Sequence, residues 1–233
     1  MTTTESVPAD AHTAPAPTPT SIPASARLID GANDIGAFVH ADERRFELTG
    51  IHFSAECAEA TNGRILIRVP YSPLSVAEFP PVPGATTTLA DCIIPPDAVK
   101  EALAARPKRT TLPILATALI CDGPPPSTRA ASPRVLLAAT NLDKTRAVTV
   151  MTMEGNYPDA NQVIPADPPT FQIALSAIQL AKLAAYALKH GNEKADYAIQ
   201  FGFRGCHDPV TFTIPLADPP RAASGVLLPA RMA

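Results

Sequence analysis

One pattern recurs along this chain and limits what it can fold into: a short apolar strand, a helix with one apolar face, then a meander of alternating strands. The second copy is the plainest. Cys92-Ile-Ile94 reads as a strand, Pro95-Pro96-Asp97 as a helix start with proline where its missing N–H costs nothing, and Ala98 to Ala105 places Val99, Ala102 and Leu103 on one face. Ile114 to Cys121, Arg134 to Ala139 and Thr145 to Met153 then alternate as strands. A third copy begins at Phe171-Gln-Ile-Ala-Leu175, a strand, with Ser176 as N-cap and Ala177 to Lys189 as a helix burying Leu180, Leu183, Ala184, Ala187 and Leu188. Tyr197, Ile199, Phe201 and Phe203 alternate with polar or small residues, Val210, Phe212 and Ile214 do so again, and Val226-Leu-Leu228-Pro229 closes as a short strand.

The first copy is weaker. Ala24 to about Ala41 carries Leu28, Ile29, Ala32, Ile35, Phe38 and Val39 at helical spacing, and Gly31 and Gly36 cut its helix propensity. Phe46 to Phe53 reads as a strand, and Glu56 to Val69 as a strand pair broken at Asn62-Gly63. Units of about 65 to 75 residues repeated in this way decide a fold class by themselves. The expectation is an α+β chain of about three strand–helix–antiparallel-meander units.

Two proline-rich punctuations divide the copies. Tyr71 to Thr88 is a loop, and Glu154-Gly-Asn-Tyr-Pro-Asp-Ala-Asn-Gln-Val-Ile-Pro165 is a connector in which Gly155 permits a bend and Pro158 fixes one φ. The 27 prolines against 11 glycines favour short elements, with proline at strand edges and ends. Residues 1 to 20 are Thr, Ala and Pro with almost no large apolar side chain, the composition of a disordered tail. This gives three segments: the tail at 1–20, a two-unit domain at 21–165, and a half domain at 166–233.

A net charge of -3 offers no whole-molecule attraction to nucleic acid, so any contact would need a local basic face. Cys57, Cys92, Cys121 and Cys206 lack CxxC spacing and read as reduced thiols of a cytoplasmic protein. No apolar run approaches the roughly 20 residues needed to span a bilayer. The five histidines show no metal-ligand spacing, no Walker loop, GxSxG or GxGxxG occurs, and Asp208 beside His207 reads as a turn. Neither an enzyme, nor a metal site, nor a cofactor is expected.

Leu48-Thr-Gly-Ile51, Ala60-Thr-Asn-Gly63, Cys92-Ile-Ile-Pro95, Glu154-Gly-Asn-Tyr-Pro-Asp159 with Val163-Ile-Pro165, and Leu228-Pro-Ala-Arg231 together resemble the bacterial DNA sliding clamp, the beta subunit of the replicative DNA polymerase III. The resemblance runs from about residue 21 to 233. It implies a DNA-clamp fold in which the first two units match the family's middle domain and the third matches only the second half of its last domain, a reduced version of the family.

It also implies partners. In that family a short apolar peptide of a DNA polymerase or similar protein enters a cleft, whose positions here are Leu48, Thr61, Gly63, Arg64, Ile65, Leu66, Pro165, Val226, Leu227, Leu228, Pro229 and Arg231. The same residues also read as ordinary strand-end core. Two positions depart from the family: Gly63-Arg-Ile-Leu66 stands for its Gly-His-Arg-Leu, and Ala230 for its methionine.

For double-stranded DNA, Gln179, Lys182, Tyr186 and Lys189 form a polar, partly basic stripe along the third-unit helix, and Lys100, Arg106, Lys108 and Arg109 lie on and after the second-unit helix. Arg27 is accompanied by Asp30 and Asp34, which repel phosphate. The reading is a processivity factor in DNA replication or repair, with self-association expected from the unpaired half domain. The alternative is an interaction protein that keeps the peptide cleft and does not encircle DNA.

Overall fold

The structure is a computed structural model, and it describes residues 24–124, 133–165, 167–217 and 221–230. The tail at 1–20, the extended piece Ser21–Pro23 and Arg231 lie outside the described residues. The protein is mixed α and β, with few helices and several antiparallel sheets. It divides into two compact units, Met1–Ala160 and Asn161–Ala233. No helix among the described residues is long and apolar enough to cross a membrane.

The first unit contains β1 (Ala24–Ser25), β2 (Arg27–Ile29), β3 (Ile51–Phe53), β4 (Cys57–Thr61), β5 (Leu66–Pro70), β6 (Thr88–Leu89), β7 (Cys92–Ile94), α1 (Pro96–Ala104), β8 (Ala118–Asp122), β9 (Arg134–Thr140) and β10 (Thr145–Met151). Two four-stranded antiparallel sheets have orders β10-β9-β8-β2 and β5-β4-β3-β7, and β1 pairs with β6. The connectivity is reciprocal. β2, which precedes the β3–β5 meander, pairs with β8 of the other meander, Leu28 opposite Leu119. β7, which precedes α1 and the β8–β10 meander, pairs with β3, Ile93 opposite His52.

A shared core explains why the two sheets stay together. Ile29, Ile51, Phe53, Ile94, Val99, Leu103, Ile120, Val135 and Leu137 form one buried cluster drawn from both sheets and α1. Each such side chain taken fully out of water contributes about 1.5–3 kcal/mol. A second cluster, with Leu28, Phe79, Leu119, Leu136 and Ala138, is covered by Leu74, Val76 and Val82 of the proline-rich loop. β9 is therefore buried on both faces, which is why its sequence is an almost unbroken apolar run.

The second unit holds α2 (Ala177–His190) and a three-stranded sheet, β11 (Gln200–Gly202), β12 (Val210–Pro215) and β13 (Ala222–Leu227), in the order β11-β12-β13. Val210, Ile214 and Leu227 are buried on one face, and the other carries Thr211, Thr213, Ser224 and Val226. At the end of α2, Gly191 bridges to Leu216 and Asn192 N–H donates to the Pro215 carbonyl at 2.9 Å.

Each meander closes back on the segment that precedes it through one backbone bond. Ser72 N–H donates to the Leu28 carbonyl at 2.9 Å, Met153 N–H to that of Ile93 at 2.8 Å, and Ala230 N–H to that of Ala174 at 2.7 Å.

Several sequence expectations change. The first-unit helix is absent: the stretch forms β2 and two 3₁₀ turns, Gly31–Asn33 and Gly36–Phe38. Asp30 and Asn33 cap the first turn reciprocally, and fully buried Asn33 reaches the Val69 and Pro70 carbonyls. A Cβ on Gly36 would lie 2.8 Å from Pro96 Cβ, a contact only glycine permits.

Phe46 to Phe53 is not one strand either. Glu43–Leu48 is a pair of 3₁₀ turns joined at a kink at Arg45 and capped by Asp42, and the strand begins after Gly50, where a Cβ would collide with Ile93 Cγ2. Ile114 to Cys121 likewise opens with a 3₁₀ turn at Pro113–Ala116. Of the Tyr197 to Phe203 alternation only Gln200–Gly202 pairs, whereas the last strand starts earlier than expected, at Ala222.

In the second unit Phe171 to Leu175 pairs with no strand. In the first unit β2 and β7 become strands by each pairing with the other meander, and among the described residues the second unit has one meander. On α2, Ala187 is buried and Leu180 and Leu183 half-buried, but Ala184 and Leu188 are exposed. A sheet whose first strand is three residues long is too narrow to cover a helix of about 21 Å. Ser176 occupies the N-cap position without a side-chain hydrogen bond.

Candidate functional site

In the first unit the residues expected to meet a partner peptide gather at the β4–β5 turn, whose shape is written in its polar side chains. Gly63 takes a φ of +84°, a left-handed conformation that glycine adopts without strain. Asn62 Oδ1 accepts from Arg64 N–H at 3.0 Å and Ile65 N–H at 3.1 Å. Thr61 Oγ1 accepts from Gly63 N–H at 3.0 Å and donates to the Ile65 carbonyl at 2.7 Å. The turn is held from within and presents Gly63, Arg64 and Ile65 to solvent, with Thr61 and Leu66 half-buried. Phe46 is exposed nearby in sequence to Leu48, which is itself in the interior.

Behind this turn the sheet carries a charged cluster in which His52 and Glu59 are buried, Arg68 is half-buried and Asp91 is exposed. His52 on β3 contacts Glu59 Oε1 through Nδ1 at 2.7 Å and Asp91 Oδ1 through Nε2 at 2.5 Å. Glu59 takes a further bond from Arg68 Nε at 2.7 Å. Burial alone would lower the His52 pKa, but the bonds to Asp91 and Glu59 outweigh it and push it up to about 9. Burial would likewise raise Glu59, yet His52 and Arg68 hold it below the usual carboxylate range.

The connector is anchored on the same cluster. Met153 bridges to Ile93, and the Tyr157 ring stacks on His52 with centroids 4.5 Å apart. Burial, with the Glu59 charge beside it, pushes the Tyr157 hydroxyl up to about 12.

The remaining peptide-cleft residues lie in the second unit. Pro165 is exposed after the 3₁₀ turn Ala160–Gln162. Val226 and Leu228 are 62% and 68% exposed, Leu227 is buried, and Pro229 is half-buried. Alternation along the final strand therefore points Leu227 inward and leaves Val226 and Leu228 exposed.

The basic residues form a set in each unit. Lys100 is exposed on α1, and Lys108 and Arg109 are exposed after it. Arg106 closes the end of α1, where its Nε donates to the Leu103 carbonyl at 2.8 Å and its Nη1 to that of Ala116. On α2, Gln179, Lys182, Tyr186 and Lys189 are all exposed along one stripe. Tyr186 also rests against His190, centroids 4.9 Å apart.

Sequence reasoning did not single out His52, Glu59, Arg68 and Asp91. The available signal was three titratable residues in strand sequences that are otherwise apolar. It also missed a pocket of about 960 Å³ beneath the proline-rich loop, where Arg27 lies over the Tyr71 ring. Among the described residues no group of three His, Cys, Asp or Glu side chains is arranged to hold a metal ion.

No protein-family model matches the chain, and a search of curated proteins finds no match either.

Proposed function

We propose that this chain is a non-enzymatic, sliding-clamp-like accessory factor of DNA replication or repair, which binds DNA polymerase-type partners through their short apolar peptides and tethers them to DNA. The observation that carries the reading is the reciprocal pairing in the first unit, β2 with β8 and β7 with β3. We read it as two interlocked copies of one strand-and-meander unit, the organisation that the motif resemblance implies for the family's middle domain. The matching closures at Ser72, Met153 and Ala230 support a third copy.

Two surfaces support partner binding. In the first unit it is the turn with Gly63, Arg64 and Ile65 exposed; in the second it is Val226 and Leu228 on the last strand. Exposed apolar side chains beside fixed backbone groups suit an extended or helical-turn peptide. For DNA, Lys182 and Lys189 on α2 and Lys100, Lys108 and Arg109 of the first unit would contact phosphates without reading sequence.

A second reading has its own observation. The first meander is preceded by 3₁₀ turns and not by an α-helix, so one basic-helix position is lost. This favours a factor that keeps partner binding but does not encircle DNA, competing with complete clamps for polymerase peptides. Retention on closed circular against linearised DNA separates the two. Loss of retention on linearisation supports encirclement, and equal retention on both forms, or none, removes it in favour of the second reading.

A further inference from the structure

The first unit is a template for what the second one lacks. Its two halves complete each other because the segment leading into each half adds to the first meander strand of the other. The shared closures align Leu28, Ile93 and Ala174, and hence Ile29, Ile94 and Leu175. The same number of positions separates Ile94 from Ala118 and Leu175 from Ile199, so Ile199 and Phe201 correspond to Ala118 and Ile120, and to Ile51 and Phe53.

Burial marks the difference between the units. Ile29, Ile51, Phe53, Ile94, Ala118 and Ile120 are completely buried, whereas Leu175, Ile199 and Phe201 are only half-buried. The outer edge of β11 pairs with nothing among the described residues. Exposed edges and uncovered apolar faces of this kind are what proteins cover by association.

We infer that a second copy of this chain supplies the missing half. Two second units exchange their leading segments about a two-fold axis, Ile173 to Leu175 of each adding antiparallel to β11 of the other. By the register of the first unit, where Ile29 faces Ala118 and Arg27 faces Ile120, Leu175 faces Ile199 and Ile173 faces Phe201 of the second copy. Ala174 already spends its carbonyl on Ala230 of its own chain, so the groups of Ile173 and Leu175 point to the open edge.

The helix fits the same symmetry. Ile178 and Leu188 are 70% and 66% exposed, and with Ala181 and Ala185 they form a stripe beside the polar one. Antiparallel helices about a two-fold set Ile178 against Leu188 and Ala181 against Ala185, a self-complementary contact that leaves Lys182 and Lys189 on the neighbouring face. The inference rests on the same internal repetition as the proposed function, but it needs neither the peptide nor DNA.

Light scattering of the full chain at micromolar concentration is expected to give twice 24.4 kDa, and Ile178→Asp with Leu188→Asp to halve it. Backbone hydrogen exchange is expected to be slowed at Ile173 and Leu175 in the dimer and to speed up severalfold or more on dilution to monomer. A monomeric wild type overturns the inference, as does a dimer in which those two amides exchange freely or which survives both aspartates. Since the aspartates replace exposed side chains, an unfolded variant would show in the far-ultraviolet circular dichroism, and the wild-type mass and exchange then decide alone. A monomer that still binds a clamp-type peptide leaves the proposed function standing, so the two fail separately.

Discussion

Tyr157 lies almost flat on His52, their ring planes 16° apart, and this contact fastens the connector to the central strands of the first unit. His52 is in turn clasped by Glu59 and Asp91, so stacking and charge act on one side chain. A double-mutant cycle of His52→Leu and Tyr157→Leu is expected to give a coupling of about 1 kcal/mol, the range for aromatic pairs beyond area burial. Additive effects in denaturant unfolding would mean that the stack holds nothing.

Stability should fall with rising pH because of the same histidine. Its pKa goes from an ordinary 6.5 to about 9 on folding, so the native state binds the extra proton. The contribution is fully present below pH 6.5, declines above it, and is gone beyond about pH 9. The loss should be on the order of 3 kcal/mol. Urea unfolding at several pH values checks it, with His52→Asn as the control in which this decline disappears. Lowered Glu59 acts with the opposite sign: its contribution is held above the usual carboxylate range and is lost as acid protonates it in the folded state.

Gly50→Ala tests the packing that shifts the start of β3. Its Cβ would collide with Ile93 Cγ2 and lie 2.7 Å from Met153 Sδ, inside a filled core. Overpacking of this kind costs about 2 kcal/mol. A thermal midpoint unchanged from wild type would show that the sheet and connector are not pressed together there.

Much of this architecture was legible as sequence. The Asn62-Gly63 turn, α1 with Pro96 in its first turn, and the apolar β9 were readable because local chemistry and tertiary context agree. The failures came where context overrode periodicity. Leu28 and Ile29 look helical, but β8 offers them a sheet edge and Gly36 must pass Pro96 closely. Phe171 to Leu175 looks like a strand and lacks a partner to make it one. At the candidate site the sequence placed Val226, Leu227 and Leu228 alike in the cleft, whereas the structure buries Leu227 and leaves Val226 and Leu228 exposed. The His52 cluster was not legible, because Glu59 and Asp91 are brought to it only by folding.

Replacing Lys182 and Lys189 together by Ala should lower the slope of log affinity for DNA against log salt by about 2, if each contacts one phosphate. Both side chains are exposed, so folding should be unaffected. Titrations between low and physiological salt check this, and an unchanged slope takes α2 off the DNA surface.

The central claim is most directly tested by fluorescence anisotropy of a labelled clamp-binding peptide titrated with the full chain. Saturable binding is expected, weakened by about 2 kcal/mol by a charge on the surface that takes the peptide, Leu228→Asp on the last strand or Ile65→Asp on the first-unit turn. Both positions are exposed, so the variants should keep the fold. The absence of saturable binding, or equal affinity for wild type and both variants, would contradict the clamp-like reading.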